Sequence, residues 1–140
     1  MGIIIPARSF SPDNASSLMK PIIYCCSDVG FAKDAFSMNI PLAKKLLECN
    51  PKRRTMRMEK CFIQILNQLP DGVAIRDFDV MFNPEYKIDV LRIMINACKT
   101  KPFSVIWPGK YEDGKLYYAE YGFPDYKVFS IDTYDVTCIV

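Results

Sequence analysis

Short apolar runs bounded by turn residues alternate with longer stretches of helical period, and this alternation narrows the choice of fold most. The run Pro21-Ile22-Ile23-Tyr24-Cys25-Cys26 is apolar and partly β-branched, and Ser27-Asp28-Val29-Gly30 breaks it. It reads as a buried strand. Val73-Ala74-Ile75, after Pro70-Asp71-Gly72, and Phe103-Ser104-Val105-Ile106-Trp107, before Pro108-Gly109, read the same way. Three helical stretches accompany them. The first takes Asn39 as N-cap with Pro41 just inside, carries Leu42, Leu46 and Cys49 on one face, and ends at Asn50-Pro51. The second opens at Thr55 and repeats apolar residues at Met56, Cys61-Phe62, Ile65-Leu66 and Leu69. The third starts at Asn83-Pro84 and carries the stripe Val90, Leu91, Met94, Ile95 and Cys98 up to Lys99-Thr100-Lys101-Pro102.

Strands alternating with helices predict a layered α/β fold with a mainly parallel sheet flanked by helices. The Asp113-Gly114 pair is a hairpin signal, and residues 116–119 and 126–129, which follow it, read as strands. The C-terminal portion is therefore expected to add antiparallel edge strands, with residues 136–140 closing the chain. Residues 7–20, rich in Ser, Asn and Asp around Pro12, read as a loop or arm. The organisation expected is an N-terminal arm over residues 1–20 and one α/β domain over residues 21–140.

Composition excludes more than it selects. Hydrophobic residues make up 50% and charged residues 24% of the 140 positions, so a core is affordable without staples. A net charge of +2 demands no polyanionic partner. Histidine is absent, which removes His-centred triads, His general bases and His metal ligands. The six cysteines are Cys25, Cys26, Cys49, Cys61, Cys98 and Cys138. Most lie in apolar surroundings with no CxxC, so free thiols in a reducing cytoplasm are expected and a metal site is not. The N-terminus lacks a basic region and a long apolar stretch, and no run reaches membrane-spanning length. The chain reads as soluble and cytoplasmic.

From Asn39 onward the sequence carries several distinctive stretches: Asn39-Ile40-Pro41-Leu42-Ala43-Lys44-Lys45-Leu46-Leu47, Pro51-Lys52-Arg53-Arg54, and Val80-Met81-Phe82-Asn83-Pro84. The most specific is Trp107-Pro108-Gly109-Lys110-Tyr111-Glu112-Asp113-Gly114-Lys115-Leu116-Tyr117-Tyr118-Ala119-Glu120, followed by Gly122-Phe123-Pro124-Asp125-Tyr126. Over these stretches the chain resembles the BrxF family, the small P-loop-containing proteins of type 3 BREX phage-defence systems. The resemblance implies a P-loop NTPase-like fold, a role in anti-phage defence, and work inside a complex with other BREX proteins.

It also implies a phosphate loop after the first strand. A Walker A loop, GxxxxGK[ST], cradles phosphates with backbone amides, reaches the β/γ oxygens with Lys and holds magnesium with a hydroxyl. The nearest candidate is Ser27-Asp28-Val29-Gly30-Phe31-Ala32-Lys33-Asp34. It keeps Gly30 and Lys33. Ser27 and Ala32 stand where glycines belong, and Asp34 replaces the hydroxyl residue with a negative charge. The stretch from Lys33 to Asn39 is also short for the usual P-loop helix plus second strand. The plain alternative is that Lys33 and Asp34 are exposed loop charges. The Walker B acid would end the strand that begins at Val73, where Arg76 falls at the expected position and Asp77 stands one residue on. Asp77 would act on magnesium through water, or else belong to a solvated loop. The ligand set implied is Ser27, Gly30, Lys33, Asp34 and Asp77, for ATP and magnesium, with no catalytic residue assigned.

Lys44, Lys45, Lys52, Arg53, Arg54, Arg57 and Lys60 form a dense basic stretch. Cations near a helix start oppose its dipole, so local stability does not account for them. Lys52, Arg53, Arg54, Arg57 and Lys60 are the candidate contacts to a partner or to DNA phosphate, the alternative being a solvated face. Tyr111, Tyr117, Tyr118, Tyr121, Phe123, Tyr126 and Phe129 cluster in sequence, some for the core and some for a partner. The expectation is a non-catalytic or weakly nucleotide-binding subunit of a BREX-type complex. The alternatives are a small P-loop ATPase of that system, and a phage or mobile-element mimic that blocks it. Other BREX-system proteins, DNA and a second copy forming a homo-oligomer are the partners considered, with no membrane.

Overall fold

The computed structural model describes residues 2–10, 20–25 and 34–140. Its centre is a six-stranded sheet in which every pairing is parallel. In chain order its strands are β1 (Ile3–Ile5), β2 (Ile22–Tyr24), β3 (Phe36–Ser37), β4 (Val73–Arg76), β5 (Phe103–Ile106) and, last, β9 (Thr137–Ile139). The spatial order is β1-β9-β2-β5-β4-β3. Helices α1 (Asn39–Leu47) and α2 (Arg54–Leu66) join β3 to β4, and α3 (Val90–Cys98) joins β4 to β5. Between β5 and β9 the chain builds a second, antiparallel sheet of β6 (Lys110–Glu112), β7 (Lys115–Tyr118) and β8 (Lys127–Ser130), in that order. The layered α/β fold is thus present, with its antiparallel part as a separate C-terminal sheet. Among the described residues no helix is long and apolar enough to cross a membrane.

The strands read as apolar runs because both faces of the sheet are covered. Ile23, Ile75, Val105 and Cys138 pack with the helices in the main core. Ile22, Tyr24 and Ile139 face the other way, with Ile5 and Phe10 against them. Successive strand residues point to opposite faces, so this division follows from the parallel register that aligns Ile23 with Val105 and Cys138. α2 buries Met58, Cys61, Phe62, Ile65 and Leu66 on one stripe, each large apolar side chain contributing about 1.5–3 kcal/mol. α3 buries seven of its nine residues, as befits a helix held against both sheet and neighbour.

Three local expectations are corrected. Asn39 does not cap α1 from outside. It is the first helical residue, and its side chain instead accepts a hydrogen bond from the Val80 backbone N–H at 2.8 Å. The second helix starts at Arg54, after a 3-10 turn over Pro51–Arg53 that Asn50 caps by accepting from Lys52 N–H at 3.0 Å. The third helix does not begin at Asn83-Pro84. Lys87 adopts φ 50, which a right-handed helix cannot contain, and Asp89 provides the cap, accepting from Arg92 N–H at 3.1 Å. Between Lys33 and Asn39 the described residues hold the two-residue strand β3 and no α-helix, in keeping with a stretch short for a helix plus a strand.

The sheet also reaches into the stretch read as an N-terminal arm, because β1 pairs with β9 and a 3-10 turn follows over Ala7–Ser9. Residues 136–140 hold an inner parallel strand with neighbours on both sides.

Candidate functional site

In a wholly parallel sheet the carboxyl ends of all strands lie along one edge, where open α/β sheets bind ligands. β2 ends there at Tyr24. Ser27, Gly30 and Lys33 of the expected phosphate loop lie outside the described residues. Asp34 is exposed on the approach to β3. Asp77 follows the last residue of β4 directly, in the left-handed region at φ 51. β5 lies between β2 and β4, which puts the ends of those two strands about 10 Å apart.

The carboxylate of Asp77 is already engaged. It accepts from the Ser37 hydroxyl at 2.9 Å and forms an ion pair with Arg76, whose Nε–H donates to the Ala35 carbonyl at 3.2 Å. Arg76, the residue at the expected acid position, is therefore the neighbour that neutralises the acid beside it.

The next acid is engaged as well. Asp79 accepts from the Tyr118 hydroxyl at 2.9 Å and from the Asn39 amide at 3.4 Å. Burial, and then the hydrogen bond to Asp79, push the Tyr118 phenol well above its ordinary value. Tyr118 stacks on Phe82 with ring centroids 3.7 Å apart, and Trp107 and Phe129 meet the same phenylalanine edge-on. The antiparallel sheet is thus fastened by aromatic contacts to the segments that leave β4 and β5. These are ligand-side positions in such a sheet, and here side chains of the same chain fill part of them. Among the described residues, no three His, Cys, Asp or Glu side chains gather into a group able to hold a metal ion.

The second candidate site lies on the helices. α1, the turn after it and α2 enclose a cleft of about 490 Å³ lined by Lys45, Glu48, Cys49, Asn50, Arg53, Arg57, Lys60, Cys61 and Gln64. Arg53, Arg57, Lys60, Cys61 and Gln64 follow the three-and-four spacing of one helical face. Three of the five candidate contact residues, Arg53, Arg57 and Lys60, come together here with Lys45. The other two do not. Lys52 is exposed outside the lining, and Arg54 is half-buried, its Nε–H donating to the Leu46 carbonyl at the end of α1, 2.9 Å away. Cys61 is buried, and burial, followed by the neighbouring Cys49, raises its thiol while Lys45 and Arg57 pull the other way. The sequence reading named the cations and missed the polar lining of Asn50 and Gln64. The spacing of 53, 57, 60 and 64 was the available signal.

The aromatic cluster divides as expected between core and surface. Tyr118 and Phe129 are buried, whereas Tyr121 is 88% exposed, meets Tyr126 edge-on, and has exposed Phe123 two residues on. No family model, no curated protein and no solved structure matches the chain.

Proposed function

We propose that the chain is a non-catalytic subunit of a BREX-type anti-phage defence complex, binding nucleotide weakly at most and acting in assembly or regulation. The observation that carries the non-catalytic part is the state of Asp77. An acid that orients magnesium-bound water has to offer a free carboxylate. Asp77 offers one held by the Arg76 guanidinium and the Ser37 hydroxyl. A ligand there has to displace a charge-assisted pair of the chain's own making. The sequence supports the same reading through Ser27, Ala32 and Asp34, which depart from the phosphate-loop pattern. The BREX assignment itself rests on the Trp107–Tyr126 resemblance, and exposed Tyr121 and Phe123 supply anchoring area for a protein partner.

The competing reading, a small P-loop ATPase, draws on one observation, that Asp77 stands at the carboxyl end of β4. Turnover separates the two. Purified protein with ATP and magnesium is expected to hydrolyse no faster than its Lys33→Ala variant, while the chain co-purifies with other proteins of a BREX system. Robust hydrolysis abolished both by Lys33→Ala and by Asp77→Asn would establish the ATPase instead. Failure to co-purify with any of those proteins would remove the assembly role.

A further inference from the structure

We propose that the cleft between α1 and α2 binds a small oligophosphate anion, a ligand carrying two or more linked phosphate groups. No strand end contributes to its lining, so the site is separate from the Asp77 position and the proposal does not depend on the assembly role.

Four cations, Lys45, Arg53, Arg57 and Lys60, converge on the cleft against the single carboxylate of Glu48. Four cations outside the cleft pair with acids, Lys20 with Asp135, Arg76 with Asp77, Lys101 with Asp71 and Lys110 with Glu112. Others among the described residues, such as Lys44, Lys87 and Lys99, stand singly on the surface, so what marks the cleft is the convergence of its cations. Among the described residues none of the four cleft cations has such a partner. Like charges gathered in a concavity repel one another, and an anion relieves that repulsion. Guanidinium forks from Arg53 and Arg57 match phosphate oxygens, and the Asn50 and Gln64 amides add neutral donors.

The shape selects the class of anion. A volume of about 490 Å³ suits a small molecule. A duplex presents its phosphates on a convex rail that such a recess does not follow. Single-stranded nucleic acid is held by stacking on aromatic rings, and no aromatic residue lines the cleft. An acidic peptide is anchored by apolar side chains in apolar pockets, whereas the apolar residues of this lining are two cysteines, Cys49 and Cys61.

The test is calorimetric titration of the full chain with inorganic tripolyphosphate at low ionic strength, alongside a poly-glutamate peptide and a duplex DNA oligonucleotide. Saturable one-to-one binding of tripolyphosphate is expected. The double change Arg53→Gln/Arg57→Gln should weaken it at least tenfold. The double change Lys44→Gln/Lys52→Gln, which removes the same charge outside the lining, should leave it within twofold. Equal weakening by both pairs would mean diffuse surface attraction and overturn the site. So would absence of saturable binding, or tighter binding of the peptide or the duplex through the same arginines. Should the Arg53/Arg57 variant fail to fold, alkylation of Cys49 in the unaltered chain decides. Tripolyphosphate slows that reaction if it occupies the cleft and leaves it unchanged if it does not.

Discussion

A methyl group placed on Gly109 would lie 1.8 Å from the carbonyl oxygen of Tyr117, and that same oxygen accepts the Trp107 indole N–H at 2.9 Å. The obstacle is backbone, so no side chain can turn aside to make room. Gly109→Ala is expected to destabilise the fold by about 2–4 kcal/mol, read as a lower urea midpoint, because β7 must shift and the buried indole loses its acceptor. Trp107-Pro108-Gly109 was legible in the sequence as the end of a strand. Its part in clamping β5 to β7 was not, since the acceptor lies ten residues on and only the hairpin brings it back. Two phenols make a second expectation. Burial and then Asp89 push Tyr134 up to about 12, and Tyr118 is raised as well. Between pH 10 and 12 the folded chain holds protons that the unfolded chain releases. Their contribution is complete below pH 10 and is lost as pH rises through the folded values. Urea midpoints should fall across that window, and a Tyr118→Phe/Tyr134→Phe variant should show a shallower fall.

At the level of elements, α1 and α2 are joined by a side chain that the sequence presents as one more surface cation. Arg54 closes the carboxyl end of α1 by donating to the Leu46 carbonyl. Arg54→Ala should therefore cost about 1 kcal/mol in urea unfolding, whereas Arg53→Ala, at an exposed position, should stay within about 0.5 kcal/mol. A charge reversal that includes Arg54 mixes folding with binding, so binding variants are better confined to the cleft lining. The apolar stripes of α2 and α3 were readable, because a period of 3.6 needs no knowledge of the partner. Their starts were not. Asn83-Pro84 has the chemistry of a helix opening, but Lys87 turns left-handed and the opening passes to Asp89. Asn39 has the chemistry of a cap, but the segment after β4 offers it the Val80 amide instead. In each case a contact across 41 residues or a single φ outweighs a local preference. The cleft was half readable for the same reason. The cations announce themselves, but which of them face inward depends on how α1 lies against α2.

For the molecule as a whole, the described cysteines, Cys25, Cys49, Cys61, Cys98 and Cys138, are all free thiols. Denaturing thiol titration without reductant should count six, and a native cross-link in the mass spectrum would contradict this. Under native conditions Cys25, Cys61 and Cys98 should react slowly near neutral pH. The Cys138 neighbour and burial raise the Cys25 thiol, and burial raises those of Cys61 and Cys98. The layered sheet was legible because alternating strands and helices leave few other arrangements. β1 was not, because Ile3 and Ile4 sit on an edge and remain exposed, so their burial gives no pattern to read. That edge has a consequence in time. β1 and β2 are near neighbours in sequence, yet β9 stands between them. Residues 3–5 leave the ribosome well before residues 137–139 and have no partner in this sheet until those have followed. One border of β2 stays open for the same interval. Loop closure of that length is slow, so over that interval a nascent chain carries unpaired strand borders, which are the surface that chaperones and neighbouring chains compete to cover.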